Sequence, residues 1–266
     1  MRTLALFLIL AACANGGPFR AVFVTDDDTA RLGGYPLPRK CYGDALYAAQ
    51  KAGAKAVIIK FFIDQPGPDP TQDAYLGAAI KNCGLPVVLQ ARIDADEIKP
   101  NVLPERFYRD ALPIQAGSVS GETGWIPLPS LAAAATAVGF IDALHPEPLI
   151  EIYRGRPVPS LALCALELAL GQATWTDTTV TLGGHALPLR RGGIIPPYPL
   201  EDLLRPISLS ALLDGTANKE VKGEIIVLGY DGKNMHTFPT PIGPIKAHRL
   251  FFYELNASYL LLTRSN

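Results

Sequence analysis

The sequence predicts an α/β protein with a mixed, largely parallel sheet flanked by helices and with β-hairpin additions in the second half. Three observations predict this class. Short apolar runs rich in β-branched residues alternate with helical patterns over residues 19–94. These runs are apolar on both faces, as in parallel strands covered by helices on both sides. Later, Gly155 and the Gly183-Gly184 pair separate apolar segments at hairpin spacing.

The first five predicted elements form a βαβαβ unit. In order they are strand Ala21–Thr25, helix Arg39–Ala52, strand Ala56–Ile63, helix Asp69–Asn82 and strand Val87–Ile93. The Asp26–Asp28 run ends the first strand, while Gly53 and Gly84 end the helices. Because crossovers between parallel strands are right-handed, we expect the three strands to be parallel to one another.

The second half is predicted to add hairpins, a buried helix and a late core strand. Residues 94–124 form an irregular insertion, with a short helix expected at Pro104–Asp110. The later elements are a Ser-capped helix at Ser130–Thr136, a strand at Val138–Leu144, a hairpin of Leu149–Arg154 with Arg156–Val158, an apolar helix at Ser160–Leu170, a hairpin of Thr174–Leu182 with Ala186–Leu189, a strand at Glu224–Tyr230 and a helix at Ile245–Leu260.

Composition excludes several classes of protein. Hydrophobic residues make up 48% of the 266 residues and charged residues 18%, so the chain is globular and not disordered. The net charge of -1 gives no electrostatic reason to expect nucleic acid as a partner.

The first residues predict export and lipid anchoring. Arg2 precedes a short apolar core, Leu4–Ala12, which is shorter than the ~20 residues that span a bilayer. The Leu10-Ala11-Ala12-Cys13 ending resembles a bacterial lipobox, in which Cys13 is lipidated. We therefore expect a signal peptide at 1–12 and an extracytoplasmic domain at 13–266, lipid-anchored to a bacterial membrane. Ala14 favours the outer membrane, on its periplasmic or surface face. The alternative is a buried first strand with an incidental cysteine.

Three cysteines remain after Cys13. Cys41 and Cys83 lie at ends of adjacent predicted helices, so an oxidising compartment would allow one disulfide between them. Cys164 lies in the apolar helix and is expected to be an inert core residue. None of the cysteines has zinc-site spacing, and no metal site is predicted.

Candidate ligand-binding residues lie where the predicted strands end, because open parallel sheets bind ligands beyond the carboxyl ends of their strands. These ends supply Asp26, Asp27, Asp64, Asp231 and either Arg92 or Asp94. An acidic cluster of this kind would suit a cation or a cationic ligand. The competing interpretation is that each Asp serves a turn or a helix N-cap.

Two further candidates are Arg39 and His236. Arg39 would face the ligand near the Asp26 cluster, or fix a loop through a structural ion pair. His236 could join Asp26 and Asp231 in a site, although a surface or loop position is the ordinary interpretation of each of the four histidines, His145, His185, His236 and His248.

Enzyme motifs are missing from the sequence. It contains no G-x-x-x-x-G-K, G-x-S-x-G or H-E-x-x-H motif, and no G-x-G-x-x-G follows the first strand. We predict neither catalytic residues nor a cofactor. A carboxylate-dependent periplasmic hydrolase is the weakest alternative, since no suitable histidine pair follows the Val24–Asp28 segment.

An ordered set of short motifs resembles the CHASE type two domain, an extracytoplasmic sensory domain of bacterial cyclases and kinases. The resemblance spans about Phe19 to Leu261. The motifs are Leu32-Gly33, Tyr35–Arg39, Ala52–Lys55, Pro66–Pro70, Val138–Ile141, Pro159–Leu163, Ile207–Leu209, Lys222–Gly229 and Thr240–Gly243. The resemblance implies a sensory module, here in a stand-alone lipoprotein form, whose partner is a small ligand or a signalling protein.

Two positions depart from this family pattern. Thr25 and Asp26 stand where the family usually has two acidic residues, and Lys60 stands where the second strand usually carries an Asp. A pairing of Lys60 with Asp26 would replace the family pocket, which leaves the alternative of a structural or protein-interaction lipoprotein without ligand binding. Family members that signal continue into transmembrane helices and an output domain, whereas only four residues follow Leu262. We therefore expect transmission to need another protein.

Overall fold

The computed structural model describes residues 17–94, 101–113, 118–141, 148–189 and 206–264. Several predictions fall wholly or partly outside these ranges. They are the signal peptide at 1–12, the lipidated Cys13, His145 and the end of the strand expected at Val138–Leu144.

The strands include all three that the first half predicted. In chain order they are β1 (Phe19–Val24), β2 (Ala56–Ile59), β3 (Val87–Ile93), β4 (Ser120–Gly121), β5 (Gly124–Trp125), β6 (Ala137–Phe140), β7 (Ile150–Tyr153), β8 (Arg156–Pro159), β9 (Thr174–Trp175), β10 (Thr179–Leu182), β11 (His185–Pro188), β12 (Ile207–Ser208), β13 (Ile225–Tyr230), β14 (Thr237–Thr240) and β15 (Gly243–Lys246).

A seven-stranded sheet forms the centre of the described part of the chain. Its order is β12-β1-β13-β2-β3, with β6 and β5 both pairing with β3. Every pair is parallel except β3 with β5. The predicted hairpins β7–β8 and β10–β11 are antiparallel and lie in two smaller sheets, in which β4 pairs with β7 in parallel and β9 pairs with β10 in antiparallel fashion. The predicted fold class is therefore confirmed, and β13 separates β1 from β2.

Helices cover both faces of this sheet. They are α1 (Asp26–Leu32), α2 (Arg39–Ala52), α3 (Pro70–Asn82), α4 (Pro129–Ala134), α5 (Leu161–Leu170), α6 (Leu209–Leu213), α7 (Asn218–Val221) and α8 (Ala247–Arg264). Side chains of α2, α3, α4, α6 and α7 bury one apolar cluster, and those of α5 and α8 bury the other. The strands between them are buried on both sides, as their sequences predicted.

The Asp26–Asp28 run begins a helix that the sequence analysis did not predict. Thr25 caps α1, since its hydroxyl accepts the Asp28 N–H at 3.1 Å. The buried Asp28 carboxylate accepts the Thr25 N–H in return at 2.9 Å. Its second oxygen accepts the Ser210 N–H at the start of α6, also at 2.9 Å. Asp28 therefore fixes the entry of α1 and ties it to α6.

The structure describes residues 101–113 and 118–124 of the insertion, and two predicted helix starts need correction. Glu105–Phe107 is one 3-10 turn where a helix over Pro104–Asp110 was expected. Helix α4 begins at Pro129, with Leu128 as its N-cap, so Ser130 is not the cap. Phe107 is buried in the core, which anchors the insertion on the sheet.

The cysteines in the described residues are free and buried. Helices α2 and α3 both connect parallel strands and therefore run in the same direction. Cys41 lies in the first turn of α2 and Cys83 just after the end of α3, so the two thiols are at opposite ends of the helix pair. Burial raises the pKa of the Cys164 thiol to about 12, which fits an inert core residue.

Candidate functional site

A cleft opens at the carboxyl end of the central parallel sheet. Its volume is about 540 Å³, within the range of small-molecule sites. The lining comes from segments that follow β2, β6 and β13, from the end of β3 and from the first two turns of α8. The lining residues are Tyr35, Lys60, Phe61, Phe62, Gln90, Arg92, Ile141, Met235, His236, Phe238, Ala247, His248, Phe251 and Glu254.

Strand register brings Lys60 and Gln90 together in this cleft. Ile59 pairs with Leu89, so the next residue of each strand lies side by side. The Lys60 ammonium donates to the Gln90 side-chain oxygen at 3.3 Å. It also lies 4.7 Å from the centre of the Phe251 ring. Lys60 is only 4% exposed, so its side chain lies against the wall of the cleft and does not extend into solvent.

Arg92 follows Gln90 on the same face of β3, because side chains alternate along a strand. Its guanidinium carbon lies 5.7 Å from the centre of the Trp125 ring, and Trp125 in turn meets Phe62 edge-on. The Arg92 Nε is buried, and among the described residues it has no hydrogen-bond partner. A buried guanidinium N–H without an acceptor is uncommon in folded proteins.

His248 enters the cleft as a neutral imidazole. Its Nδ1 accepts the backbone N–H of Tyr230 at 2.8 Å, which leaves Nε2 as the donor of the neutral ring. Burial lowers the pKa of His248 well below its ordinary value, and the nearby positive charge of Lys60 lowers it further. At neutral pH the ring therefore acts as a hydrogen-bond donor without adding charge.

The cleft is apolar apart from a few convergent polar groups. Phe61 and Phe251 are buried in its wall, and Tyr35, 55% exposed, stacks on Tyr230 at 4.5 Å. Among the described residues that line the cleft, Lys60 and Arg92 bring two positive charges and Glu254 one negative charge, a sum of +1. Such a lining suits a small ligand that is part apolar and part polar.

The predicted acidic residues lie at the same edge of the sheet but not in the lining of the cleft. Asp26 accepts the Lys233 N–H at 3.0 Å and the Tyr230 hydroxyl at 3.3 Å, and it does not pair with Lys60. Asp231 forms ion pairs with Lys246 at 3.3 Å and with Arg249 at 2.7 Å. The charge of Asp231 is thus matched within the chain, and the Asp26 carboxylate is held by hydrogen bonds from uncharged groups.

The other predicted residues are dispersed. Asp27 is exposed on α1, and Asp64 is buried with its carboxylate accepting the Gln65 amide at 3.1 Å. Arg39 forms an ion pair with Asp73 at 3.3 Å and donates to the Gln65 carbonyl at 3.0 Å. His236 does line the cleft, at its exposed mouth, where its ring meets Phe238 edge-on. Of the predicted residues, Lys60, His236 and Arg92, the last named as an alternative to Asp94, line the cleft.

Neither a metal site nor a membrane span is found in the part of the chain that the structure describes. No group of three or more His, Cys, Asp or Glu side chains in the described ranges is placed to hold a metal ion. Among the same residues, no helix combines the length and apolar character needed to cross a bilayer.

The comparison with protein families agrees with this architecture. The model of the CHASE2 domain matches residues 5–260. The chain belongs to the CHASE2 domain family. This is a family of extracellular sensory domains, so the chain has a sensory role. At a significant level the chain matches no curated protein and no solved structure.

Sequence reasoning did not propose Gln90, His248 or Glu254 for the cleft of this CHASE2 domain, and it named Arg92 only as an alternative to Asp94. Gln90 and Arg92 interrupt the apolar run of β3 at alternating positions, which is the signal that would have placed both on one face. His248 and Glu254 lie on a helix whose position over the sheet only the tertiary structure shows. The cleft lies at the edge of the sheet where the sequence predicted a site, whereas Asp26 and Asp231 make their contacts within the chain and outside the lining.

Proposed function

We propose that this CHASE2 domain senses a small molecule in the cleft at the carboxyl end of its sheet. The observation that carries the proposal is the convergence of Lys60, Gln90, Arg92 and His248 on one cleft with aromatic walls. In parallel α/β sheets this edge is where ligands bind, because loops from several strands meet there. The proposed role is binding without catalysis, in keeping with a sensory family.

A thermal-shift screen with a cleft-filling variant tests the proposal. Ala247 lines the cleft at the start of α8, so Ala247→Phe should fill it. Ala30 is exposed on α1, and Ala30→Phe is the matched control. Compounds from a panel of anionic, neutral and cationic metabolites should raise the melting temperature of the wild type and of Ala30→Phe, but not that of Ala247→Phe.

Two results would count against ligand sensing. One is a flat response of the wild type to the whole panel. The other is stabilisation of Ala247→Phe equal to that of the wild type, which would place binding elsewhere. A flat response would favour the alternative of a structural or protein-interaction domain without a ligand, whose partner is another protein, whereas equal stabilisation of Ala247→Phe would exclude the cleft as the binding site.

We also propose that the protein is held outside the cell by acyl chains on Cys13. The Leu10–Cys13 segment and the preceding apolar core support this anchor. Replacement of Cys13 by alanine is expected to move the protein from the membrane fraction to the soluble fraction. Retention of the Cys13→Ala protein in washed membranes would rule out the lipid anchor.

A further inference from the structure

Arg92 lies in the cleft and has a hydrogen-bond donor, its Nε, for which the described residues supply no acceptor. Among the described residues the buried Nε has no hydrogen-bond partner, and the guanidinium carbon lies 5.7 Å from the centre of the Trp125 ring, which supplies no acceptor. The Arg92 side chain as a whole lines the cleft and is only partly buried. A ligand in the cleft can therefore supply an acceptor to the exposed part of the guanidinium group.

The groups around Arg92 are also donors. Lys60 lies in the same cleft with its ammonium beside Gln90, and the neutral His248 ring donates through Nε2 because its Nδ1 is occupied by Tyr230. Helix α8 starts at Ala247, which lines the cleft. The positive end of the α8 dipole therefore lies at the cleft. The lining therefore favours a negatively charged group.

The amount of charge limits the type of anion. Within the described lining, Lys60 and Arg92 exceed Glu254 by one positive charge, and a ligand with one negative charge would balance this excess. A carboxylate carries one charge at neutral pH, and its two oxygens fit the fork of an arginine. The aromatic wall formed by Phe61, Phe62 and Phe251 suits an apolar, flat body attached to that carboxylate.

We propose that the cleft binds a monocarboxylate with an aromatic or similarly flat apolar body, and that Arg92 anchors the carboxylate. This inference rests on the proposed function and names the class of ligand for the same cleft. The binding mode places the carboxylate at Arg92 and Lys60, with the body against the phenylalanines.

Small ligands of similar shape and different charge can show whether the cleft selects its ligand by charge. Phenylacetate, phenylacetamide and phenethylamine share a phenyl body and differ in the charge of the end group, while phenyl phosphate carries the larger charge. The sequence contains two tryptophans, so a Trp175→Phe background leaves Trp125, beside Arg92, as the fluorescent reporter. Isothermal titration of the same protein gives the affinities independently.

Phenylacetate should quench or shift the Trp125 emission and bind about tenfold or more tightly than the amide or the amine. Arg92→Gln should weaken phenylacetate binding about tenfold or more, and Arg92→Lys should lie between because it keeps the charge but loses the fork. Arg31→Gln removes the same charge from an exposed position on α1 and should change the affinity less than about twofold.

The inference is overturned if the amide or amine binds as tightly as phenylacetate, or if Arg92→Gln binds it as the wild type does. Tighter binding of phenyl phosphate would overturn the assignment to a monocarboxylate. Absence of phenylacetate binding would do the same. If phenylacetate fails but compounds of the metabolite panel stabilise the wild type and not Ala247→Phe, only the proposed ligand class is wrong. If no compound of the panel stabilises the wild type either, the proposed function is wrong as well.

Discussion

Asp28→Ala is expected to lower the free energy of unfolding by about 3 kcal/mol. The buried carboxylate accepts N–H groups from Thr25 and Ser210, which alanine would leave without an acceptor. Burial raises the pKa of Asp28, but hydrogen bonds from Ser210 and Thr25 outweigh this effect and hold the pKa below its ordinary value. The carboxylate is thus charged at neutral pH and its hydrogen bonds are charge-assisted.

Denaturant unfolding of Asp28→Ala and Asp27→Ala measures this contribution. Asp27 precedes Asp28 in the same turn of α1 but is exposed, so Asp27→Ala removes the same charge near the helix N-terminus without a buried acceptor. We expect Asp27→Ala to lower the free energy of unfolding by about 0.5 kcal/mol. Equal decreases in the free energy of unfolding for the two variants would mean that Asp28 acts through the helix dipole alone and does not tie α1 to α6.

Acidification below about pH 6.5 is expected to destabilise the protein, with His248 as the cause. Burial and Lys60 depress the pKa of His248, so in this range the unfolded chain binds a proton that the folded protein does not. The free energy of unfolding therefore falls as the pH falls from the unfolded pKa toward the folded pKa. One differential proton gives a slope of about 1.4 kcal/mol per pH unit.

Unfolding curves measured across this range for two variants test the assignment. Glutamine at position 248 retains an acceptor for the Tyr230 N–H but cannot take up a proton, so His248→Gln should flatten the pH dependence. His236→Gln changes an exposed histidine and should keep the slope of the wild type. A wild-type slope in His248→Gln would assign the titration to another group.

Local patterns predicted several elements to the residue. Helix α2 and strand β3 have the expected bounds, since each combines strong periodicity with a clear glycine or proline boundary. Strand β13 was also predicted, but its place between β1 and β2 was not. That position depends on pairing between segments about two hundred residues apart, which no local periodicity records.

The site was less predictable than the fold for a related reason. The rule for parallel sheets indicated the edge at which the cleft lies, and Asp26 and Asp231 lie at that edge as well. Which side chains enter the cleft depends on the strand face that each occupies and on where α8 crosses the sheet. Lys60 and Arg92 share the face covered by α8, whereas Asp231 is held by Arg249. Strand alternation combined with the position of one helix decides the chemistry of this cleft.

Hydrogen–deuterium exchange tests most directly whether the cleft is the sensory site. The measurement compares the free protein with the protein saturated by the compound that stabilises it most in the metabolite panel. The account predicts slower amide exchange at Lys60–Phe62, Met235–Phe238 and the first two turns of α8, with hairpin β10–β11 unchanged. Slower exchange confined to segments outside the cleft, with these three unaffected, would contradict it.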